Sequence, residues 1–338
     1  MNTLYCKKII NTLLNLGKLN KFRLNSSKTC SRNRILSFQS QRSFCQDKGK
    51  PEQKSEEDSS INGADISNSY TNFGYKTVKK EERQSLVNTV FANVASSYDI
   101  MNDAMSLGIH RVWKNEFVNS IGLLKHNTIH DSDGNSREEK MKIIDVAGGT
   151  GDISFRIWEK ARHNAKSFFT TMPVEITVVD INGNMLEVGK ARGKTQNIPD
   201  EDIKWVESNA ETLNFLEDNC IDLYTISFGI RNCTNIDKVL SEAHRVLKKG
   251  GRFMCMEFSK VNLPILSNVY DFYSFYLIPE MGRLIANDRE SYQYLVESIR
   301  NFHDQETFKR KIMDAGFKSV NYVNLSAGIV AIHSGVKL

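Results

Sequence analysis

Five short apolar runs constrain this chain more than any other feature. Ile143–Ala147, Val174–Asp180, Ile203–Glu207, Ile221–Ser227 and Arg252–Phe258 each span five to seven residues. Helical patterns fall between them, from about Ile153, over Asn184–Gly193 and over Ile236–Lys248. A strand that is apolar at nearly every position has no wet face, so it belongs in a parallel sheet covered by helices on both sides. The expectation is an α/β, doubly wound, mostly parallel sheet. Near the C-terminus a helix over Glu306–Ala315 precedes Val320–Leu325 and Ile329–His333. Only Ser326-Ala327-Gly328 joins those two strands, and so short a link suits an antiparallel pair. Ahead of the sheet, Phe73 to Gly122 reads as helical. Thr77 is placed to cap a helix with Glu81 and Glu82 in its first turn, and Val87, Val90, Phe91 and Val94 mark one buried face. The polar stretches His126–Lys140 and His163–Thr171 read as surface insertions.

The formal charge of +5 belongs to one segment. Nine Lys and Arg residues lie between Met1 and Gln46, with no Asp or Glu among them. From Asp47 onward 36 basic residues face 40 acidic ones. The body therefore lacks the basic excess that grips nucleic acid, and no such partner is expected. Residues 1–46, with Leu13, Leu14 and Leu16 set among Ser, Asn and basic residues, have the composition of a mitochondrial transit peptide. A cationic amphipathic helix is drawn to anionic membrane surfaces and by a negative-inside potential. Residues 47–72 form a polar linker expected to be disordered, followed by a domain over 73–338. Cys6, Cys30 and Cys45 fall in the presumed presequence; Cys220, Cys233 and Cys255 adjoin apolar runs without C-x-x-C spacing. They read as reduced core thiols, with neither a disulfide framework nor a metal site. No uncharged apolar run reaches the ~18 residues of an ordinary membrane span.

The chemistry is concentrated in Ile144-Asp145-Val146-Ala147-Gly148-Gly149-Thr150-Gly151-Asp152. Here a buried strand runs into a glycine cluster and straight on to a helix start. Gly148, Gly149 and Gly151 let the backbone turn sharply and approach a ligand closely. Asp180 ends the second strand, where a carboxylate can accept from both hydroxyls of a ribose. Gly149, Gly151 and Ser154 can be forced onto a dinucleotide fingerprint, which keeps a NAD-binding oxidoreductase as a rival. A pyrophosphate, however, needs a helix start free of negative charge. Asp152 at that start, with Asp145 on the strand, favours a cofactor carrying a sulfonium and an ammonium, S-adenosylmethionine. Asn209, Ala210 and Glu211 follow the third strand, where an adenine edge would lie.

Two stretches resemble the ubiquinone/menaquinone biosynthesis C-methyltransferase family, class I S-adenosylmethionine-dependent enzymes. Tyr98-Asp99-Ile100-Met101-Asn102-Asp103-Ala104-Met105-Ser106, with His110 and Trp113, matches the family's first pattern at every fixed position. Arg245-Val246-Leu247-Lys248-Lys249-Gly250-Gly251, with Glu257 and Ser259, matches the second except at Lys249, where the family usually has Pro. Ser227-Phe228-Gly229-Ile230-Arg231-Asn232 is also family-like, Asn214 replaces a common Pro, and the two insertions are longer than usual. The resemblance runs from about Phe73 to the C-terminus. It implies a seven-stranded sheet with the last strand antiparallel, and a cofactor held by Thr150, Asp180, Asn209, Ala210 and Ser227. With the presequence, it implies methylation of a ring carbon of a polyprenylated methoxy-benzoquinol in the mitochondrial matrix. Such an enzyme would sit peripherally on the inner membrane beside other ubiquinone-synthesis enzymes. Demethylmenaquinol as substrate, or a silent scaffold of that complex, are the other readings.

Methyl transfer to an aromatic carbon requires the ring to be aligned, phenolate character to be stabilised and the ring proton to be removed; no metal is needed. Arg231 and Asn232, after the fourth strand, are the candidates for holding the oxyanion, with a structural ion pair as the alternative for Arg231 and a helix cap for Asn232. Tyr98 is a third catalytic candidate or a core aromatic, and His110 is a base by its pKa range or a packing residue. Glu257 reads as a helix cap or a substrate contact, and His333 as a core residue. Val261–Ala286 is dense in aromatic and aliphatic residues and suits a polyprenyl tail or a membrane surface; the alternatives are a homodimer interface or a core lid.

Overall fold

The structure is a computed structural model that describes residues 69–94, 98–122, 127–130, 136–168 and 173–338. The expected presequence, and the expected linker as far as residue 68, lie outside the described residues. The folded unit begins at Tyr70, a few residues before the expected boundary. Strands β1 (Tyr70–Phe73) and β2 (Lys76–Lys79) form an antiparallel hairpin. Thr77 is therefore a strand residue, and the helix α1 (Lys80–Val94) starts three residues later. Val87 and Val94 are buried on it as expected, while Val90 and Phe91 are half-buried. The helical pattern was right and its start was not, because a four-residue strand gives too few positions for a period to register.

Helices α2 (Tyr98–Ser106) and α3 (Ile109–Ser120) follow. The first polar insertion carries its own hairpin, β3 (Asn127–His130) with β4 (Ser136–Glu139). The sheet then builds in alternation: β5 (Met141–Val146), α4 (Asp152–Phe168), β6 (Val174–Asp180), α5 (Gly183–Thr195), β7 (Ile203–Glu207), β8 (Ile221–Ser227), α6 (Ile236–Val246) and β9 (Leu247–Phe258). Of the second expected loop, 163–168 belongs to α4. After β9 comes α7 (Pro264–Phe272), which runs on through π-helical turns at Tyr273–Leu277 and Gly282–Ala286. Helices α8 (Arg289–Asn301) and α9 (Gln305–Asp314) precede β10 (Lys318–Leu325) and β11 (Val330–Val336).

The seven-stranded sheet has the order β10-β11-β9-β8-β5-β6-β7. β9, β8, β5, β6 and β7 are parallel, and β11 runs antiparallel to both its neighbours. This is the expected doubly wound, mostly parallel sheet with its last strand antiparallel; that strand, β11, lies one place in from the edge, which β10 forms. Neighbouring residues of one strand serve opposite cores. Ile143 packs with Phe117, Ile157 and Trp158 on one face, and Ile144 with Leu240, Ala243 and Phe253 on the other. Dual burial is why the strand carries no polar alternation. The chain winds outward from β5 to β6 and β7, then returns to lay β8 on the other side of β5. That reversal opens a crevice at the carboxyl ends of β5 and β8, where ligands bind in open α/β sheets.

Close packing beneath the crevice depends on Gly189 of α5, where an added Cβ would collide with the Trp205 ring and sit 3.2 Å from the Thr150 backbone. Ala is the better helix former by about 1 kcal/mol, but overpacking costs about 1–3 kcal/mol. Gly189→Ala is therefore expected to destabilise the fold by about 1 kcal/mol, read from the urea midpoint at unchanged slope. A gain in stability would show that the Trp205 ring yields freely.

Candidate active site

The cleft lies over the carboxyl ends of β5, β6, β7 and β8, with α1 closing it from above. Gly148, Gly149 and Thr150 line it after β5, Asp180 and Asn182 after β6, Asn209 and Ala210 after β7, and Ser227, Phe228 and Asn232 after β8. Of the expected cofactor residues, only Gly151 stays out of the lining. Its φ of +79° favours glycine, and a Cβ would meet Trp205 and Phe155, so it serves the packing of the helix start. Two non-glycine residues at the rim, Ala147 after β5 and Phe228 after β8, also take left-handed φ values of 51° and 56°. Strained backbone of this kind collects where a fold positions functional groups.

Asp180 is held by its own surroundings: Oδ2 accepts from the Gly149 N–H at 2.9 Å and Oδ1 from the Asn182 N–H at 2.9 Å. Burial raises its pKa, and these backbone bonds oppose the rise. Asn209 Oδ1 accepts from the Glu211 N–H at 2.9 Å, fixing the turn after β7. Thr150 Oγ1 accepts from Arg192 at 3.0 Å. Ser227 Oγ and Asn232 Nδ2 are buried with no partner among the described residues. Both line the cleft, and a buried polar atom left alone is expensive unless a ligand or water meets it. An adenosine-bearing amino acid fits these residues: a ribose acceptor at Asp180, amide and backbone groups at Asn209 and Ala210, and unpaired polar atoms at the β8 side.

The acid at the start of α4 is already paired. Asp152 is not a free acid at the helix start: Oδ2 accepts from Lys114 Nζ at 2.6 Å and Oδ1 from Arg156 Nε at 3.0 Å. Burial pushes its carboxyl up, but the two cations outweigh burial and hold it below the usual range. The sequence could not pair Lys114 with Asp152, since 38 residues separate them. Asp145 is the less balanced acid. It is buried in β5, accepts from Ser154 Oγ at 2.7 Å and Thr225 Oγ1 at 2.8 Å, and burial still pushes it up to about 6.

Arg231 and Asn232 separate in role. Arg231 forms a buried ion pair with Glu257 at 2.8 Å, donates to the Phe228 carbonyl at 2.6 Å and lies outside the lining of the cleft. Its structural alternative is what the geometry displays, and Glu257, expected as a helix cap or a substrate contact, is its counter-ion and also lies outside the lining. Asn232 faces the cleft, its Oδ1 accepting from Tyr294 OH at 3.1 Å. Arg83 of α1 donates to the carbonyls of Asn232 at 2.7 Å and Arg231 at 3.1 Å, so the turn is gripped from both sides. Tyr98 opens α2, and its side chain lies outside the described residues. His110 is buried, hydrogen-bonded to Asp103 at 2.8 Å and outside the lining; burial lowers its pKa despite that carboxylate. His333 is a core residue bonded to the Gln305 carbonyl, with its pKa lowered to about 4 by burial. Lys114 and the α1 residues Gln84, Asn88 and Phe91 also line the cleft. Sequence reasoning missed them because α1 and α3 precede the sheet and meet the cleft only on folding; the one signal was the place of Lys114 directly after Trp113. Among the described residues no group of His, Cys, Asp or Glu is arranged to hold a metal ion.

Asp145 gives a pH prediction. Its folded pKa of about 6 exceeds the ordinary carboxylate value of 3.8, so the stability it contributes is complete below about pH 4 and is lost as pH rises through about 6. Asp145→Asn removes this dependence. The stability of the variant relative to the parent should climb between pH 4 and 7 by up to about 3 kcal/mol, measured by urea unfolding. A flat difference would mean that the carboxyl is ionised at no cost.

The comparisons agree with the geometry. The family model described as the ubiE/COQ5 methyltransferase family matches residues 76–337. The chain is 52% identical over 275 residues to the Arabidopsis thaliana protein "2-methoxy-6-polyprenyl-1,4-benzoquinol methylase, mitochondrial", covering 79% of this chain and 90% of that protein. It is 51% identical over 289 residues to the Dictyostelium discoideum protein of the same name, covering 80% and 87%. It is 50% identical over 266 residues to the "Ubiquinone/menaquinone biosynthesis C-methyltransferase UbiE" of Brucella abortus, covering 79% and 90%. With a family match across nearly the whole folded unit and half of all aligned residues shared, this chain belongs to the ubiE/COQ5 methyltransferase family.

Proposed function

We propose that this chain is the mitochondrial S-adenosylmethionine-dependent C-methyltransferase of ubiquinone synthesis, acting on a 2-methoxy-6-polyprenyl-1,4-benzoquinol. The observation that carries the reading is the cleft at the sheet's reversal point, lined by the glycine turn, Asp180, Asn209, Ala210 and a Ser227 Oγ with no partner among the described residues, in a chain about half identical, over the aligned residues, to relatives of that name. When bound, the donor supplies an electrophilic methyl group on a sulfonium. Gly148, Gly149, Thr150, Asp180, Asn209, Ala210 and Ser227 are the residues that would hold it. The protein's remaining tasks are to orient the ring and to stabilise phenolate character.

Asn232 Nδ2 is the donor suited to the second task. It is buried, without a partner among the described residues and at the cleft, and a preorganised donor of this kind contributes about 10²–10³ in rate. Arg231 acts through position: its pair with Glu257 and its bond to the Phe228 carbonyl fix the turn that presents Asn232. Proton removal falls to water in this scheme, since a guanidinium is a poor base.

The substrate's tail calls for apolar surface, and the stretch from α7 to Ala286 offers it. Val269, Phe272, Tyr276 and Leu284 are each 60% or more exposed, and Ile100 of α2, a helix packed against the same stretch, is 63% exposed. No helix among the described residues is long and apolar enough to cross a membrane. We assign to this face the peripheral contact with the matrix side of the inner membrane, where the other ubiquinone-synthesis enzymes would be neighbours.

Incubation with methyl-labelled donor and a demethylated methoxy-quinol should yield a ring C-methylated product; no turnover with an intact, donor-binding protein would leave only a scaffold. Asn232→Ala should lower kcat by about 10²–10³ with little change in donor affinity by calorimetry. An equal loss of donor affinity would place Asn232 on the cofactor instead. A Phe272→Asp, Leu284→Asp double variant should lose binding to anionic lipid vesicles while retaining donor affinity, and unchanged vesicle binding would remove the membrane assignment.

A further inference from the structure

The cleft has two chemically distinct ends. Toward β6 and β7 it offers Asp180, Asn209 and Ala210 with the apolar Ile181 and Met185, a surface for a ribose and a base. Toward β5 and α3 it offers Asp145, Asp152 and Lys114. A donor with adenosine at the first end must place its amino-acid head at the second, and that head carries both an ammonium and a carboxylate. Two acids alone would serve the ammonium and repel the carboxylate. Among the described residues that line the cleft, Lys114 is the one with a positive side chain.

Its setting matches that task. Lys114 is 7% exposed, and its one partner among the described residues is Asp152 Oδ2 at 2.6 Å. One of its three N–H groups is thereby used, and two remain. Asp152 meanwhile divides itself between Lys114 and Arg156, so two cations share one acid. The Lys114 ammonium is therefore only partly answered by Asp152 where a second carboxylate would enter, and a buried ammonium gains from every acceptor it meets. The bland account, a pair that merely ties α3 to α4, explains the bond but not why it is built into the wall of the cleft.

We propose that Lys114 binds the carboxylate of the donor's methionine head, while Asp152 and Asp145 face its ammonium. Lys114 is then a binding residue that selects the intact amino acid, and an adenosine ligand lacking the carboxylate is discriminated against. This rests on the methyl-donor reading above.

The test is calorimetric and needs no turnover. S-adenosylhomocysteine is compared with its decarboxylated analogue, S-adenosyl-3-thiopropylamine, on the full chain and on Lys114→Met, with thermal melting to establish that the variant is folded. The parent should prefer S-adenosylhomocysteine by about 10- to 100-fold, the range of a charge-assisted hydrogen bond. Lys114→Met should lose that preference, falling to within about twofold of unity, through weaker binding of S-adenosylhomocysteine and nearly unchanged binding of the amine. Lys114→Arg should keep most of the preference. Equal affinity of the parent for the two ligands overturns the inference with no variant at all, and so does a folded Lys114→Met that discriminates as the parent does. If Lys114→Met does not fold, Lys114→Gln carries the same comparison. A parent that binds neither ligand would instead overturn the methyl-donor reading itself.

Discussion

A strand covered on both faces can offer polar chemistry only at its ends, and this protein is organised around that restriction. β5 sits inside the sheet between β8 and β6, with one hydrophobic core above it and another below. Its side chains are apolar except Lys142 near the start and Asp145 near the carboxyl end. The chain reverses its winding there, so the ends of β5 and β8 diverge and leave a crevice. Glycines, left-handed backbone and unpaired polar atoms all collect around that gap.

The crevice keeps its shape through a buried electrostatic clamp beside it. Arg231 and Glu257 are 5% and 1% exposed at their side chains. Burial raises the Glu257 pKa, and Arg231 pulls it back. Removing two such charges from water costs about as much as their attraction returns, so the pair is better understood as a device of geometry than of stability. It ties the turn after β8 to the end of β9. Arg83 adds a grip from α1, and Phe73 of the N-terminal hairpin stacks on Tyr294 at 4.2 Å, which in turn bonds Asn232. A hairpin outside the main sheet thus helps hold a side chain at the cleft.

How far the sequence reached depended on the range of each interaction. Val174–Asp180, Ile203–Glu207 and Ile221–Ser227 have the bounds their apolar runs mark, because burial on both faces writes itself into consecutive residues. The glycine turn was legible because tight turns have few residue solutions, and Asp180 because it ends a strand. Thr77 was misplaced since two competing local structures, a cap and a short strand, use the same residues. For Arg231 the sequence leaves oxyanion contact and ion pair both open, because its partner Glu257, 26 positions away, is brought to it only by folding. Asp152 stands in the sequence as a bare charge for the same reason, with Lys114 38 positions away.

The residues alone thus carried the class of fold and the family, and marked the glycine turn and Asp180 as the place to look for a cofactor, because local burial, turn geometry and a short motif are written into neighbouring positions. The tertiary structure alone decided which charges are already answered. It gave Asp152 to Lys114 and Arg156, enclosed Arg231 with Glu257, and left Ser227 and Asn232 with polar atoms facing the cleft. Electrostatic roles are settled by distance and desolvation, and neither exists until segments remote in the chain have packed together.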